Sequence, residues 1–312
     1  MRLLVVALLV FAAACSSGGG NEGLNTAPPT TSEKPDGATR TIKVDGRERT
    51  YLVHRPTTID RDDPTSLVVV LHGGLGTGAQ ARQSYGWDAK ADAARFVVAY
   101  PNGIDKAWNA GTCCGRPQRD GVDDVKFLGA VIDEVTKAEG VVPDRVYATG
   151  ISNGGMMAYR LACELPGKVA AIGPVAASMT VSCEQPQPRP TALLHIHGLD
   201  DRNVPFSGGV GSKGVAKDSR PSIPSVIERW RAIDACTGPP VTATAGAVTT
   251  VTSAACAAGT EVVLVTVAGA GHQWPGSVPP SAAAKRLLDL DDPSTALDAT
   301  ATLWDFFSRQ SQ

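Results

Sequence analysis

The chain has 312 residues, room for one large α/β domain or two small ones. Hydrophobic residues make up 43% and charged residues 19%, which supplies a large core and excludes a disordered chain. The net charge of −2, without a basic stripe, excludes a nucleic-acid binder.

The N-terminus has the layout of an export signal. Arg2 precedes an apolar run, Leu3 to Phe11, and Ala12-Ala13-Ala14 supply small residues for cleavage. The run is too short to span a bilayer as a mature helix. Cys15 follows at once, as in a bacterial lipoprotein signal, although Ala12 stands where Leu or Val is usual. We expect residues 1–14 to be removed, Cys15 to be lipidated, and residues up to 39 to form a Gly/Ser/Thr/Pro-rich tether. An ordinary secretory signal ending at Ala14 is the alternative. Either way the protein is extracytoplasmic, with membrane contact only through the anchor.

Cysteine parity fits lipidation. Without Cys15 six cysteines remain, Cys113, Cys114, Cys163, Cys183, Cys236 and Cys256, an even set expected to form disulfides in an exported chain. Local spacing favours Cys236–Cys256 and, less strongly, Cys163–Cys183. Cys113 would then pair with Cys114, unless the set is shuffled. No metal site is expected, because no C-x-x-C or partnered His spacing occurs.

Ordered structure is expected from about Arg40. Ile42 and Val44 alternate, Asp45-Gly46 marks a turn, and Tyr51 and Val53 alternate again, which reads as a β-hairpin. Short β-branched runs follow at 67–71, 96–100, 146–149, 171–175, 192–197 and 262–267, as expected of strands buried on both faces. Helical spacing lies between and after them: Val125/Leu128/Ile132/Val135, Met157/Leu161/Leu165 stopped by Pro166-Gly167, Val226/Trp230/Ile233, and Leu303/Phe306/Phe307. The alternation predicts a doubly wound, mostly parallel sheet in one domain over residues 40–312. We expect a monomer.

The chemistry is concentrated at strand ends. Gly150-Ile151-Ser152-Asn153-Gly154 lies between a strand and a helix, the setting of a nucleophile elbow. Side chains at Gly150 and Gly154 would collide with neighbouring backbone there. Ser152 needs a base, and the chain order of this arrangement is Ser, then acid, then His. Of the five histidines, His54 and His72 precede Ser152. His195 falls inside a strand and reads as a satisfied core residue, and His197 ends that strand. His272, in the glycine-framed loop Gly269–Gly276 past the last strand, is the expected base. The acid belongs in the loop after the preceding strand, where Asp200 and Asp201 are both candidates.

An oxyanion site needs two backbone N–H groups. Asn153 would supply one. Gly74 or Leu75, in His72-Gly73-Gly74-Leu75-Gly76, would supply the other. The same loop matches Gly-x-Gly-x-x-Ala, but no acidic residue ends the next strand, so no dinucleotide cofactor is expected. Gly208 to Lys213 resembles a P-loop but lacks the glycine before the lysine. Trp108 and Trp274 would line an acyl pocket or serve as buried structural residues. Asp123 and Asp124 open a helix and need no function.

Together these motifs resemble the poly(3-hydroxybutyrate) depolymerase and feruloyl esterase group, close to carbohydrate esterase family 1. The resemblance rests on His72-Gly73-Gly74, Trp108-Asn109 with Cys113-Cys114-Gly115, Val122-Asp123-Asp124, the elbow through Met157, His195-Ile196-His197-Gly198 with Asp201 and Val204-Pro205, and Gly271 to Gly276. It spans roughly residues 40–312. It implies the α/β-hydrolase fold, a Ser152–Asp201–His272 triad, and ester hydrolysis through an acyl-enzyme without a cofactor. It favours Asp201 over Asp200. No polymer-binding module is found after the catalytic segment, which argues against activity on crystalline polymer. The readings to separate are a hydrolase of feruloyl, acetyl or short hydroxyalkanoate esters, a polyester depolymerase, an acyltransferase, and an inactive binding lipoprotein.

Overall fold

The computed structural model describes residues 37–60, 62–183, 189–214 and 217–311, which fall in one compact unit. The expected signal segment, Cys15 and nearly all of the expected tether lie outside them.

Among the described residues ten strands form one sheet: β1 (Thr39–Val44), β2 (Arg47–His54), β3 (Thr65–Leu71), β4 (Val97–Pro101), β5 (Val141–Ile151), β6 (Ala171–Val175), β7 (Ala192–Gly198), β8 (Val241–Ala245), β9 (Val248–Ser253) and β10 (Val262–Val267). Their spatial order is β1-β2-β4-β3-β5-β6-β7-β10-β9-β8. The six central strands, β4 through β10 in that order, are parallel, and an antiparallel pair closes each edge. The central strands are buried almost throughout, which is why they read as continuous apolar runs rather than alternating ones.

Among the described residues eight α-helices accompany them: α1 (Gly78–Ser84), α2 (Trp87–Ala94), α3 (Gly115–Arg119), α4 (Asp124–Glu139), α5 (Asn153–Glu164), α6 (Ile223–Ile233), α7 (Ala282–Leu288) and α8 (Ala299–Phe307). Leu67, Val69 and Leu71 of β3 pack with α4, α5 and α6. Val68 and Val70, pointing the other way, pack with α1, α2 and α8. The period of two along a strand thus splits the core into two layers. The strand order reverses between β3 and β5, so the loops after these two strands face each other at a topological switch point. Open α/β sheets bind their ligands at such a point.

Three disulfides are formed, Cys113–Cys114, Cys163–Cys183 and Cys236–Cys256, the pairing that local spacing favours. Among the described residues no helix is long and apolar enough to cross a membrane.

Candidate active site

Ser152 sits at the turn between β5 and α5 with φ 55° and ψ −123°, a conformation sparsely populated by any residue with a side chain. Packing enforces it. A Cβ on Gly154 would lie 2.6 Å from the His72 carbonyl oxygen and closer still to that of Leu71. One on Gly150 would lie 2.5 Å from the Leu71 oxygen. The glycines let β3, β5 and α5 approach until no side chain fits between them. Ser152 N–H donates to Val175 O (2.9 Å) and Ser152 O accepts from Met156 N–H (2.9 Å), which fixes both sides of the turn.

His272 lies past β10 and Asp201 past β7, neighbouring parallel strands. Their loops touch: Asp200 N–H donates to Ala270 O (2.9 Å). His272 Nδ1 stands 2.8 Å from Asp201 Oδ2. A carboxylate only accepts, so Nδ1 donates to it, and Nε2 is not engaged by the acid. The second oxygen, Asp201 Oδ1, accepts from the N–H groups of Asn203 and Val204, each at 2.8 Å. Burial alone would raise the Asp201 carboxyl. The His272 ring, His197 and the Val204 N–H outweigh it and hold the acid below the usual carboxylate range. Asp200, one residue earlier, is exposed. The structure therefore separates the two carboxylates that residue chemistry left open. Among the described residues no hydrogen bond joins the Ser152 hydroxyl to the His272 ring.

The loop after β3 corrects one expectation. Leu75 N–H is already committed, donating to Lys106 O at 2.8 Å, so it is not an open donor. Gly76 N–H donates to Gly73 O (3.0 Å). Gly74 N–H has no partner among the described residues, and Asn153 N–H, first in its helix, has no intrahelical acceptor. Gly74 and Asn153 remain as the open pair. His72 holds the loop from beneath: its Nδ1 donates to Gly73 O (2.8 Å) and its Nε2 accepts from Gly103 N–H (3.0 Å). Burial keeps this ring neutral, with its pKa pushed down to about 4.

Trp108 and Trp274 are fully enclosed. Trp108 donates to His72 O (2.9 Å), and its backbone is bracketed by the Asn153 amide at 2.7 and 3.0 Å. Trp274 donates to Thr300 Oγ1 (3.0 Å) and stacks on Tyr85. Both are the buried structural residues of the alternative reading, because stacking on an acyl group needs a ring face that neither presents. Asp124 is likewise structural: it caps no solvent turn but pairs with Arg49 (2.7 Å) and accepts from Asn109 N–H (2.8 Å) in the core.

Sequence reasoning missed Asp291. Its Oδ2 accepts the His272 backbone N–H (2.9 Å), and its Oδ1 pairs with Lys213 (3.1 Å). It holds the backbone of the His272 loop, as Asp201 holds the ring. No motif marks it, since it comes from the irregular segment after α7. A cleft of about 940 Å³ opens beside this loop, lined by Leu199, Asp200, Arg202, Phe206, Gly271 and Asp292. Among the described residues no cluster of three His, Cys, Asp or Glu is arranged to hold a metal ion.

A strained serine at a β5–α5 elbow, with a His–Asp pair on two following strand ends, defines an α/β-hydrolase. Comparison with known proteins takes this further. No family model matches the chain. It is 34% identical over 259 residues to a protein of Nocardia uniformis subsp. tsuyamanensis named "Putative esterase NocK", covering 77% of this chain and 75% of that one. It is 29% identical over 239 residues to feruloyl esterase B of Piromyces equi, covering 72% of this chain but only 42% of that enzyme. The fold matches an acetyl xylan esterase from Aspergillus awamori with a TM-score of 0.59 at 14% identity, over 80% of this chain and 98% of that one. The chain belongs to the same esterase family as the Nocardia protein and is a carboxylic ester hydrolase.

Proposed function

We propose that Ser152, His272 and Asp201 carry out this hydrolysis by two-step acyl transfer. His272 Nε2 takes the Ser152 proton as the hydroxyl oxygen attacks the ester carbonyl carbon. The tetrahedral oxyanion rests on the N–H groups of Asn153 and Gly74. His272 then returns the proton to the leaving alcohol. In the second half a water, deprotonated by His272, attacks the acyl-enzyme and releases the acid and free Ser152. The Ser152–His272 hydrogen bond forms in the substrate complex, where such contacts tighten. The observation that carries the reading is the 2.8 Å His272–Asp201 pair, which engages Nδ1 and not Nε2, on a strand-end loop of the same parallel sheet that carries the strained serine.

For substrates we propose feruloyl, acetyl or short hydroxyalkanoate esters. The names of the relatives support the first two, and the motif resemblance supports the third. A panel of p-nitrophenyl acetate, butyrate and octanoate, methyl ferulate and 3-hydroxybutyrate trimer tests both parts. The wild type is expected to hydrolyse at least one ester, and Ser152→Ala to lose essentially all of it. Preference for the trimer would turn the substrate assignment to a polyester depolymerase. Turnover that survives in Ser152→Ala would overturn the mechanism.

We also propose a monomeric, extracytoplasmic lipoprotein in which Cys15 anchors a catalytic domain of residues 40–312. The Cys15 context, the Gly/Ser/Pro-rich tether and the disulfides support this. Fractionation of cells making wild type and Cys15→Ala tests it, the wild type being expected in membranes and the variant released. Equal distribution of the two would refute the anchor.

A further inference from the structure

Behind Asp201 lies a chain of buried polar side chains that the acyl-transfer steps do not use. Tyr159 Oη stands 2.8 Å from His195 Nδ1, His195 Nε2 stands 3.0 Å from His197 Nδ1, and His197 Nε2 stands 2.8 Å from Val204 O. Tyr159, His195 and His197 are fully buried. The direction of all three bonds follows from the last one. Val204 O can only accept, so His197 Nε2 carries the proton and His197 Nδ1 accepts. His195 Nε2 must then donate, its Nδ1 must accept, and the Tyr159 hydroxyl donates into it. Burial favours the neutral form of both rings, His195 the more strongly, so each has one proton to place.

The two ends of the chain lie on the two halves of the active site. Tyr159 belongs to α5, the helix that begins one residue after Ser152. Val204 closes the acid loop: its N–H donates to Asp201 Oδ1 (2.8 Å) while its O accepts from His197. His197 Nε2 also lies 3.6 Å from Asp201 Oδ2, the atom that faces His272. The rings are braced, His195 stacking on His197 at 5.2 Å and Trp230 packing against Tyr159 at 5.4 Å.

We infer that Tyr159, His195 and His197 are positioning residues that tie the helix of Ser152 to the loop of Asp201 and hold the carboxylate where it orients His272. This rests on the reading of Asp201 as the acid of the triad. His197 Nε2–H lies toward that carboxylate while donating its hydrogen bond to Val204 O. Val204 O sets the direction of the chain, and the Tyr159 hydroxyl completes it by donating to His195 Nδ1. Without that hydroxyl the buried His195 Nδ1 loses its donor and the far end of the chain is no longer held.

Three variants test the chain: Tyr159→Phe, which keeps the ring and loses the hydroxyl; His197→Phe, which keeps a ring and loses the donor; and His197→Gln, whose amide nitrogen can still reach Val204 O. Each is assayed on a small ester, with active sites counted by a phosphonate that labels Ser152, and the His272 Nδ1–H proton is followed by NMR. We expect His197→Phe to lower kcat roughly 10- to 100-fold, as loss of an orienting partner does elsewhere, with KM unchanged. Tyr159→Phe should lower kcat by less, and His197→Gln should recover most of it. The His272 proton resonance should shift in His197→Phe and stay in place in His197→Gln. Unchanged kcat per labelled site in Tyr159→Phe, with only a lower Tm, would overturn the inference even if His197→Phe failed to fold. A wild type inactive on every ester would count against the triad, while the His272 resonance would still decide the chain.

Discussion

At the scale of single residues, the site turns on which of two adjacent carboxylates faces His272. The turn closed by Asp201 N–H to Gly198 O rotates Asp201 inward and leaves Asp200 in solvent. We therefore expect Asp201→Asn to lower kcat by about 10⁴-fold, as loss of the orienting acid does in other triads, and Asp200→Asn to leave it near wild type. Steady-state kinetics of the pair checks this. Asp291→Ala should lower kcat by a smaller factor, about tenfold, because a displaced base loop still carries its Asp201 bond. The placement of Ser152 at a strand–helix turn and of His272 past the last strand was legible because their motifs encode backbone geometry, with glycines for close approach. The choice between Asp200 and Asp201 was not, since either could end a strand loop. Nor was the loss of Leu75 as a donor. Its N–H is taken by Lys106, a residue 31 positions later whose carbonyl arrives only through the fold.

At the scale of elements, the elbow stands on close contact rather than on propensity. Gly154→Ala would press a methyl group into the Leu71 and His72 carbonyls. Such overpacking costs about 1–3 kcal/mol or more, and a lower urea midpoint should report it. At the end of α6, Asp234 is fully buried, with Oδ1 accepting weakly from Thr191 N–H (3.4 Å) and Oδ2 without a partner among the described residues. Burial pushes its pKa up to about 7. The folded state thus holds a proton that the unfolded chain releases near pH 4. This contribution to stability is complete below pH 4 and is lost as pH rises through 7, on the order of 4 kcal/mol in all. Asp234→Asn should flatten the dependence of stability on pH across that window, which urea titrations at pH 4, 5.5, 7 and 8 would show. The central strands were legible as apolar runs. The β8–β9 hairpin was not: β8 is exposed along its whole length, and its Thr/Ala/Val sequence offers no buried stripe to read.

At the scale of the whole molecule, the sheet puts Ser152 and the glycine loop after β3 where the strand order reverses, and the disulfides secure its periphery. Cys163–Cys183 ties the end of α5 to the segment after β6, and Cys236–Cys256 ties the end of α6 to the segment after β9. Each closes a loop of 20 residues, worth about 3 kcal/mol by loop-closure entropy. Reduction should lower Tm by several degrees in a calorimetric scan. The parallel class was readable from the strand–helix alternation. The antiparallel β9–β8 edge was not, because edge strands carry no continuous apolar signal. The central claim is that Ser152 is the nucleophile, and covalent labelling tests it most directly. The protein is treated with a fluorophosphonate, digested, and the modified peptide identified by mass spectrometry. A single adduct on Ser152, formed in step with loss of esterase activity and slowed in His272→Ala, is the predicted result. An adduct on another residue, or full inactivation with Ser152 unmodified, would contradict the account.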